Sequence, residues 1–204
     1  MAQAVHEAHG ADHETSTGLP NVKLGMWLFL ASECLLFGAL ISTYVLYRGS
    51  IGEGVHPIDV FDIAYTSISS FVLLASSLTM VLALSAIQRG DQVRLRLWLM
   101  TTAMLGMVFV GGQVYEFTSF IREGMTIKTN VTSGAFYTLT GFHGAHVTVG
   151  ILMLLSLVVL SGLGRLGQER SQVVELVGLY WHFVDIVWIV IFTVVYLIPA
   201  GTAR

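Results

Sequence analysis

Two histidines three residues apart, His143 and His146, sit inside the apolar stretch GFHGAHVTVG at 141–150. A three-residue step puts both imidazoles on one face of a helix, which is how a helix presents ligands to a metal. The stretch YWHFVDIVW at 180–188 repeats the step with His182 and Asp185. There Trp181, Asp185 and Trp188 follow the i, i+4, i+7 stripe of a single helix face, so two indoles flank the carboxylate and shield or partner it. Two further carboxylates, Glu33 and Glu116, stand in equally apolar surroundings. Groups of this kind can ligate a metal or haem, relay protons, or pin helices together by hydrogen bonds.

The chain that must position them has 204 residues, 54% hydrophobic and only 11% charged, with a mean hydropathy of +0.75. A soluble domain carries about a quarter charged residues, so too little charge is present to cover a water-facing surface. Apolar runs bounded by charge and Gly/Pro lie at 24–47, 63–88, 97–121, 135–161 and 173–198. Each exceeds the roughly 20 residues that cross a bilayer as a helix. A soluble protein with one large core fails on that run length. Helices are preferred to strands because the runs lack period-two alternation and lipid obliges backbone groups to pair internally.

The expected fold is therefore all-α, an integral membrane bundle of five transmembrane helices filling 24–198. A polar, flexible N-terminal tail (1–23) and a short C-terminal tail (199–204) flank it. His6, His9 and His13 could catch a metal, but a solvated tail is the favoured reading for them. The connections are too short for an extramembrane domain, the single Cys34 excludes an internal disulfide, and a net charge of −3 offers nothing to nucleic acid.

An odd number of spans puts the termini on opposite sides. Lys23, Arg89, Arg94, Arg96, Arg165 and Arg170 fall on the N-terminal side, against Arg48, Arg122, Lys128 and Arg204 on the other. That bias predicts an N-terminus in the cytoplasm and a C-terminus outside. Depth at 1.5 Å per residue sorts the ionisable groups. Glu33 and His182 lie about 14 Å from the inner end and Asp185 about 18 Å, while Glu116, His143 and His146 lie about 8, 12 and 17 Å from the outer end. The arithmetic predicts an inner set of Glu33, His182 and Asp185, and an outer set of Glu116, His143 and His146.

The outer set has the makings of a two-His, one-Glu metal site. Haem in a bundle needs histidines on facing helices, and His143 and His146 share one. Gly141, Gly144 and Gly150 point instead to close helix contact, because small residues admit a neighbouring backbone. The favoured reading is a polar helix contact with no metal or cofactor in this chain; a proton relay stays open beside it.

Taken in order, SECLLFGALISTYV (32–45), LLASSLTM (73–80) with RGD (89–91), VYEF (114–117), GFHGAHVTVG and YWHFVDIVW resemble the subunit III family of haem–copper respiratory oxidases, in its five-helix bacterial form. The resemblance covers nearly all of 24–196. It implies a non-redox subunit of a proton-pumping cytochrome c or quinol oxidase, which reduces oxygen to water in the bacterial plasma membrane. Haems and copper would belong to partner subunits. Subunit I would be the main partner, with subunits II and IV in the same complex.

The family splits its helices into two groups around a lipid-filled V, which implies bound phospholipid. Spans 1 and 2 would form one arm and spans 3 to 5 the other. Glu33 matches the family's intramembrane glutamate near the proton-uptake side of subunit I. His143, His146, His182 and Asp185 match motif positions with a packing role. The implied function is to stabilise subunit I and support its proton uptake and oxygen access. Accessory subunits of nitric oxide reductases share the fold and some motifs and are the alternative. A proton-coupled transporter is the reading from another class, and five spans without an internal repeat argue against it.

Overall fold

The computed structural model describes residues 21–49 and 62–198. Five long helices follow one another: α1 (Asn21–Tyr47), α2 (Ile63–Gln88), α3 (Gln92–Arg122), α4 (Val131–Gly162) and α5 (Ser171–Phe192). No strand occurs among the described residues. A 3₁₀ turn, Gln168–Arg170, leads into α5, and a π-helical turn, Thr193–Leu197, prolongs it. All five segments are long and apolar enough to cross a membrane. The histidines of the N-terminal tail, most of the loop between the first two helices and the C-terminal tail lie outside the described residues.

Four helices begin earlier than the apolar runs suggest, at Asn21, Gln92, Val131 and Ser171 rather than 24, 97, 135 and 173. The cause at α3 and α4 is capping. Asp91 Oδ1 accepts the Arg94 N–H at 3.0 Å, and Asn130 Oδ1 accepts the Ser133 N–H at 2.7 Å, each satisfying an amide with no partner inside its helix. Arginine is also a good helix former. Charge therefore marks where the apolar surface ends, not where the helix does. At the other ends of α2 and α4 the chain reverses through Gly90 and Gly164, with φ of 74° and 69°. These left-handed positions let the Asp91 N–H reach the Ala86 carbonyl and the Arg165 N–H the Leu160 carbonyl.

α2 packs on α3 and α5, and α4 packs on the same two helices. α1 lies against α4 and α5, so the expected arm of spans 1 and 2 is not formed: α1 joins the far group. Its contact is a narrow seam, with Leu30, Phe37 and Tyr44 buried at seven-residue intervals, the spacing that keeps one stripe of a helix against its neighbours. Leu28, Leu35 and Leu46 on its other faces are exposed, which costs little where the surroundings are hydrocarbon. Two bonds fasten the ends of the seam. Lys23 Nζ meets Glu175 at 2.6 Å, and Thr132 Oγ1 donates to the Tyr47 carbonyl at 2.7 Å. The face where α1, α3 and α5 begin is called the near face below, and the opposite one the far face.

Candidate functional site: the intramembrane polar contacts

α2 meets α5 in antiparallel register through a row of hydroxyls. Ser70 Oγ donates to the Thr66 carbonyl at 2.7 Å and accepts the Trp188 indole N–H at 2.9 Å. Ser76 Oγ donates to the Leu73 carbonyl and accepts the Trp181 N–H at 2.9 Å. Each hydroxyl has one proton, and the backbone takes it, so the oxygen lone pairs face the indoles. Thr79 and Thr102 bond across α2 and α3 at 2.8 Å.

The Trp181 ring fills a slot that only glycine leaves open. A Cβ on Gly106 of α3 would stand 2.6 Å from Cη2, and one on Gly150 of α4 would stand 2.8 Å from Cε3. The expectation for the histidine stretch needs correcting here. Gly150 does admit a close neighbour, but it is an indole rather than a backbone, and a Cβ at Gly141 or Gly144 would meet nothing within 4 Å.

The two ionisable sets expected from depth do not form. Glu33 leaves His182 and Asp185 and pairs with His146, Oε2 to Nε2 at 3.1 Å. Because α4 starts at Val131, His146 lies about 22 Å from its far end rather than 17 Å. That is mid-helix, level with Glu33 about 18 Å into antiparallel α1. His146 Nδ1 is 2.7 Å from the Phe142 carbonyl, which can only accept, so Nδ1 carries a hydrogen. The contact through Nε2 then holds one more proton, either on the imidazole facing a carboxylate or on the carboxyl donating to Nε2. In both arrangements the pair is neutral overall, which suits mid-bilayer. The side chains of His146 and Glu33 stay 18% and 14% exposed. They open on a cavity of about 380 Å³ lined also by Met26, Phe29, Val149 and Tyr180. The Tyr180 hydroxyl donates to the His146 carbonyl at 3.1 Å.

Asp185 and His182 stay together, joined through α2. Ser77 Oγ donates to Asp185 Oδ2 at 2.6 Å, and His182 Nδ1 lies 3.2 Å from that Ser77 Oγ. The order is His–Ser–Asp. In a hydrolytic triad the imidazole sits between serine and carboxylate, so this chain can shift a proton but does not activate a serine.

Glu116 stands apart from both histidines. Its Oε1 accepts from Thr66 Oγ1 at 2.8 Å and from the Tyr196 hydroxyl at 3.4 Å, and its Oε2 from Gln113 Nε2 at 3.1 Å. Three donors from α2, α3 and the end of α5 surround one buried carboxyl. His143 is fully enclosed by rings. Trp188 stacks on it at 4.9 Å, with Phe109 and Phe37 edge-on at 6.0 and 6.4 Å. Neither of its nitrogens has a hydrogen-bond partner among the described residues. No group of three or more His, Cys, Asp or Glu side chains converges as a metal site among those residues.

Thr66, Ser70, Ser76, Ser77, Tyr180 and Tyr196 carry these contacts without having been singled out in the sequence. The signal was present in LLASSLTM and the residues before it. Hydroxyls recurring every three or four positions in an apolar run mark one helix face, and in lipid such a face seeks partners.

The comparisons with known proteins point one way. A model of the family described as "Cytochrome c oxidase subunit III" matches residues 2–199. The chain is 37% identical over 194 residues to the "Probable quinol oxidase subunit 3" of Staphylococcus saprophyticus, spanning 95% of this chain and 96% of that protein. It is 35% identical over 201 residues to the "Quinol oxidase subunit 3" of Bacillus subtilis, spanning 96% and 98%. With the "Cytochrome c oxidase subunit 3" of the same species it shares 39% identity over 178 residues, spanning 87% and 86%.

Proposed function

The chain belongs to the cytochrome c oxidase subunit III family, and from that premise we propose that its Glu33–His146 pair is a proton-holding contact supporting proton uptake by the oxidase. The chain is a multi-pass membrane protein. It is a subunit of a haem–copper oxidoreductase complex whose chemistry takes place elsewhere than in this chain. Neither a nitric oxide reductase accessory role nor a stand-alone transporter is what its relatives are named for.

The observation that carries the proposal is the 3.1 Å contact between Glu33 and His146, with His146 Nδ1 already committed to the Phe142 carbonyl. A neutral pair that holds one mobile proton between two side chains can release or take up that proton with a single rearrangement. Its position at mid-helix, partly open to a cavity, leaves it reachable from a neighbouring subunit. In this reading subunit I, bearing the haems and copper, is the main neighbour, with subunits II and IV completing the complex. The surplus of arginine on the near face supports a cytoplasmic N-terminus, and the family's lipid-filled cleft supports bound phospholipid.

The test is Glu33→Gln in the assembled oxidase. The amide keeps the shape and a hydrogen bond to His146 but cannot exchange the proton. Assembly and haem content should be retained while proton uptake slows or activity decays over fewer turnovers. Normal proton pumping and normal turnover stability in an assembled variant would defeat the proposal.

A further inference from the structure

Every hydrogen bond to the buried Glu116 carboxyl comes from a group that can also accept one: the Thr66 and Tyr196 hydroxyls and the Gln113 amide. A lysine or arginine at its side would hold it ionised, and none pairs with it among the described residues. Thr66 has one hydroxyl proton and two acceptors for it. Its Oγ1 lies 2.8 Å from Glu116 Oε1 and 2.9 Å from the Asp62 carbonyl oxygen. With Glu116 ionised, the hydroxyl donates to the carboxylate. With Glu116 protonated on Oε1, the hydroxyl turns to the Asp62 carbonyl, which can only accept, and its own oxygen takes the carboxyl proton.

Gln113 offers the same choice. It is 6% exposed, and its Nε2 donates to Glu116 Oε2 at 3.1 Å while its Oε1 has no hydrogen-bond partner among the described residues. A half-turn of the amide presents that oxygen to a proton on Oε2. The same neighbours thus accommodate the carboxyl with or without its proton, and no helix has to move.

A route to water is present. Glu116 stands about 9 Å from the far end of α3 and lines a cavity of about 550 Å³ with Asp62, Tyr65, Tyr115, Ser119 and Glu123. Asp62 and Glu123 are exposed at the far ends of α2 and α3. Neither pairs with a base among the described residues, and a rim of one sign concentrates the opposite ion, here the proton. The titratable groups around Glu116 are these two carboxyls, Tyr65 of α2, Tyr115 of α3 and Tyr196 after α5. Beyond Tyr196 come Tyr44 of α1 and the Phe136 ring of α4, and Arg48 is bonded to the Val194 carbonyl. We propose that Glu116 is a proton-exchange site of the far face, taking a proton from far-face water through this cavity while the Thr66 hydroxyl turns from Glu116 to the Asp62 carbonyl. A hydronium ion gives the proton and is left as water; return of the proton to water restores the carboxylate and turns Thr66 back. The site is separate from the Glu33–His146 pair and does not depend on its role.

The assembled oxidase, oriented in proteoliposomes with the near side held at fixed pH and the far side titrated, tests the proposal. Infrared difference spectra read the C=O stretch of a carboxylic acid, which a carboxylate lacks. The wild type should show a C=O band that grows as the far side is acidified and that Glu116→Gln has lost. Glu33→Gln should keep it. Thr66→Val retains the shape without the hydroxyl, so the same band should move to higher frequency as the acid loses a hydrogen-bond partner. Identical spectra from the wild type and Glu116→Gln, or a band that follows near-side pH instead, overturn the proposal. If Glu116→Gln fails to assemble, Thr66→Val decides, and a band left unmoved there overturns the proposal as well.

Discussion

A methyl group on Gly106 would stand 2.6 Å from Cη2 of Trp181. The indole is fully buried, touches α3 and α4 with its ring and α2 with its N–H, and so locks four helices at one level. Gly106→Ala should destabilise the subunit by about 1–3 kcal/mol, the usual range for overpacking. Gly144→Ala, with open space around the new carbon, should stay within about 0.5 kcal/mol. Thermal unfolding of the assembled oxidase measures both, and the reverse ranking would remove the slot as the reason for glycine at 106.

Ser70→Ala leaves the Trp188 indole N–H without its acceptor inside a dry interface. A loss of about 0.6–2 kcal/mol is expected, as for other interhelical hydrogen bonds in membranes. Ser67→Ala removes only an exposed bond to the Ile63 carbonyl and should be silent in the same unfolding assay.

At Asp185 the acceptor matters more than the charge. Asp185→Asn still offers an oxygen to the Ser77 hydroxyl and should cost about 1 kcal/mol or less. Asp185→Leu strands that hydroxyl, with the His182 N–H behind it, and should cost about 1–3 kcal/mol. Equal losses in denaturation of the two variants would mean that the carboxylate charge, not the chain of bonds, holds the helices.

The two histidines of GFHGAHVTVG should respond in opposite ways. His143 has ring neighbours and no hydrogen-bond partner, so His143→Phe keeps the stack on Trp188 and should assemble normally. His146→Phe deprives Glu33 of its partner at mid-bilayer and should cost about 1–3 kcal/mol. Yield of intact, haem-bearing complex from each variant distinguishes them.

Run length made the five spans legible, because the bilayer sets a minimum that few soluble segments meet. The i, i+4, i+7 stripe of Trp181, Asp185 and Trp188 was legible too, and all three residues are buried on that face of α5. Which helix each polar group would meet was not. Depth along one helix needs both ends, and Asp91 and Asn130 moved two of those ends by capping residues that charge alone assigns to loops. A shift of four residues moved His146 about 6 Å deeper, out of the outer set and to the level of Glu33. Neighbour relations such as α1 against α4 rest on tertiary packing, and no periodicity within α1 names its partner. The alternating Ser and Thr of α2 were visible as letters, but apolar runs hide hydroxyls that a hydropathy reading tolerates.

The seam of α1 has a consequence for how the subunit is made. Its fastenings reach residues synthesised long after it: Tyr47 to Thr132, 85 positions on, Glu33 to His146, 113 on, and Lys23 to Glu175, 152 on. At roughly 5–20 residues per second, translation leaves α1 in the bilayer for several to tens of seconds before α4 and α5 arrive. Throughout that interval Glu33 has no imidazole to share a proton with. It must travel as the neutral acid or sheltered by the insertion machinery. α1, made before α4 and α5, thus finds its place only once they arrive.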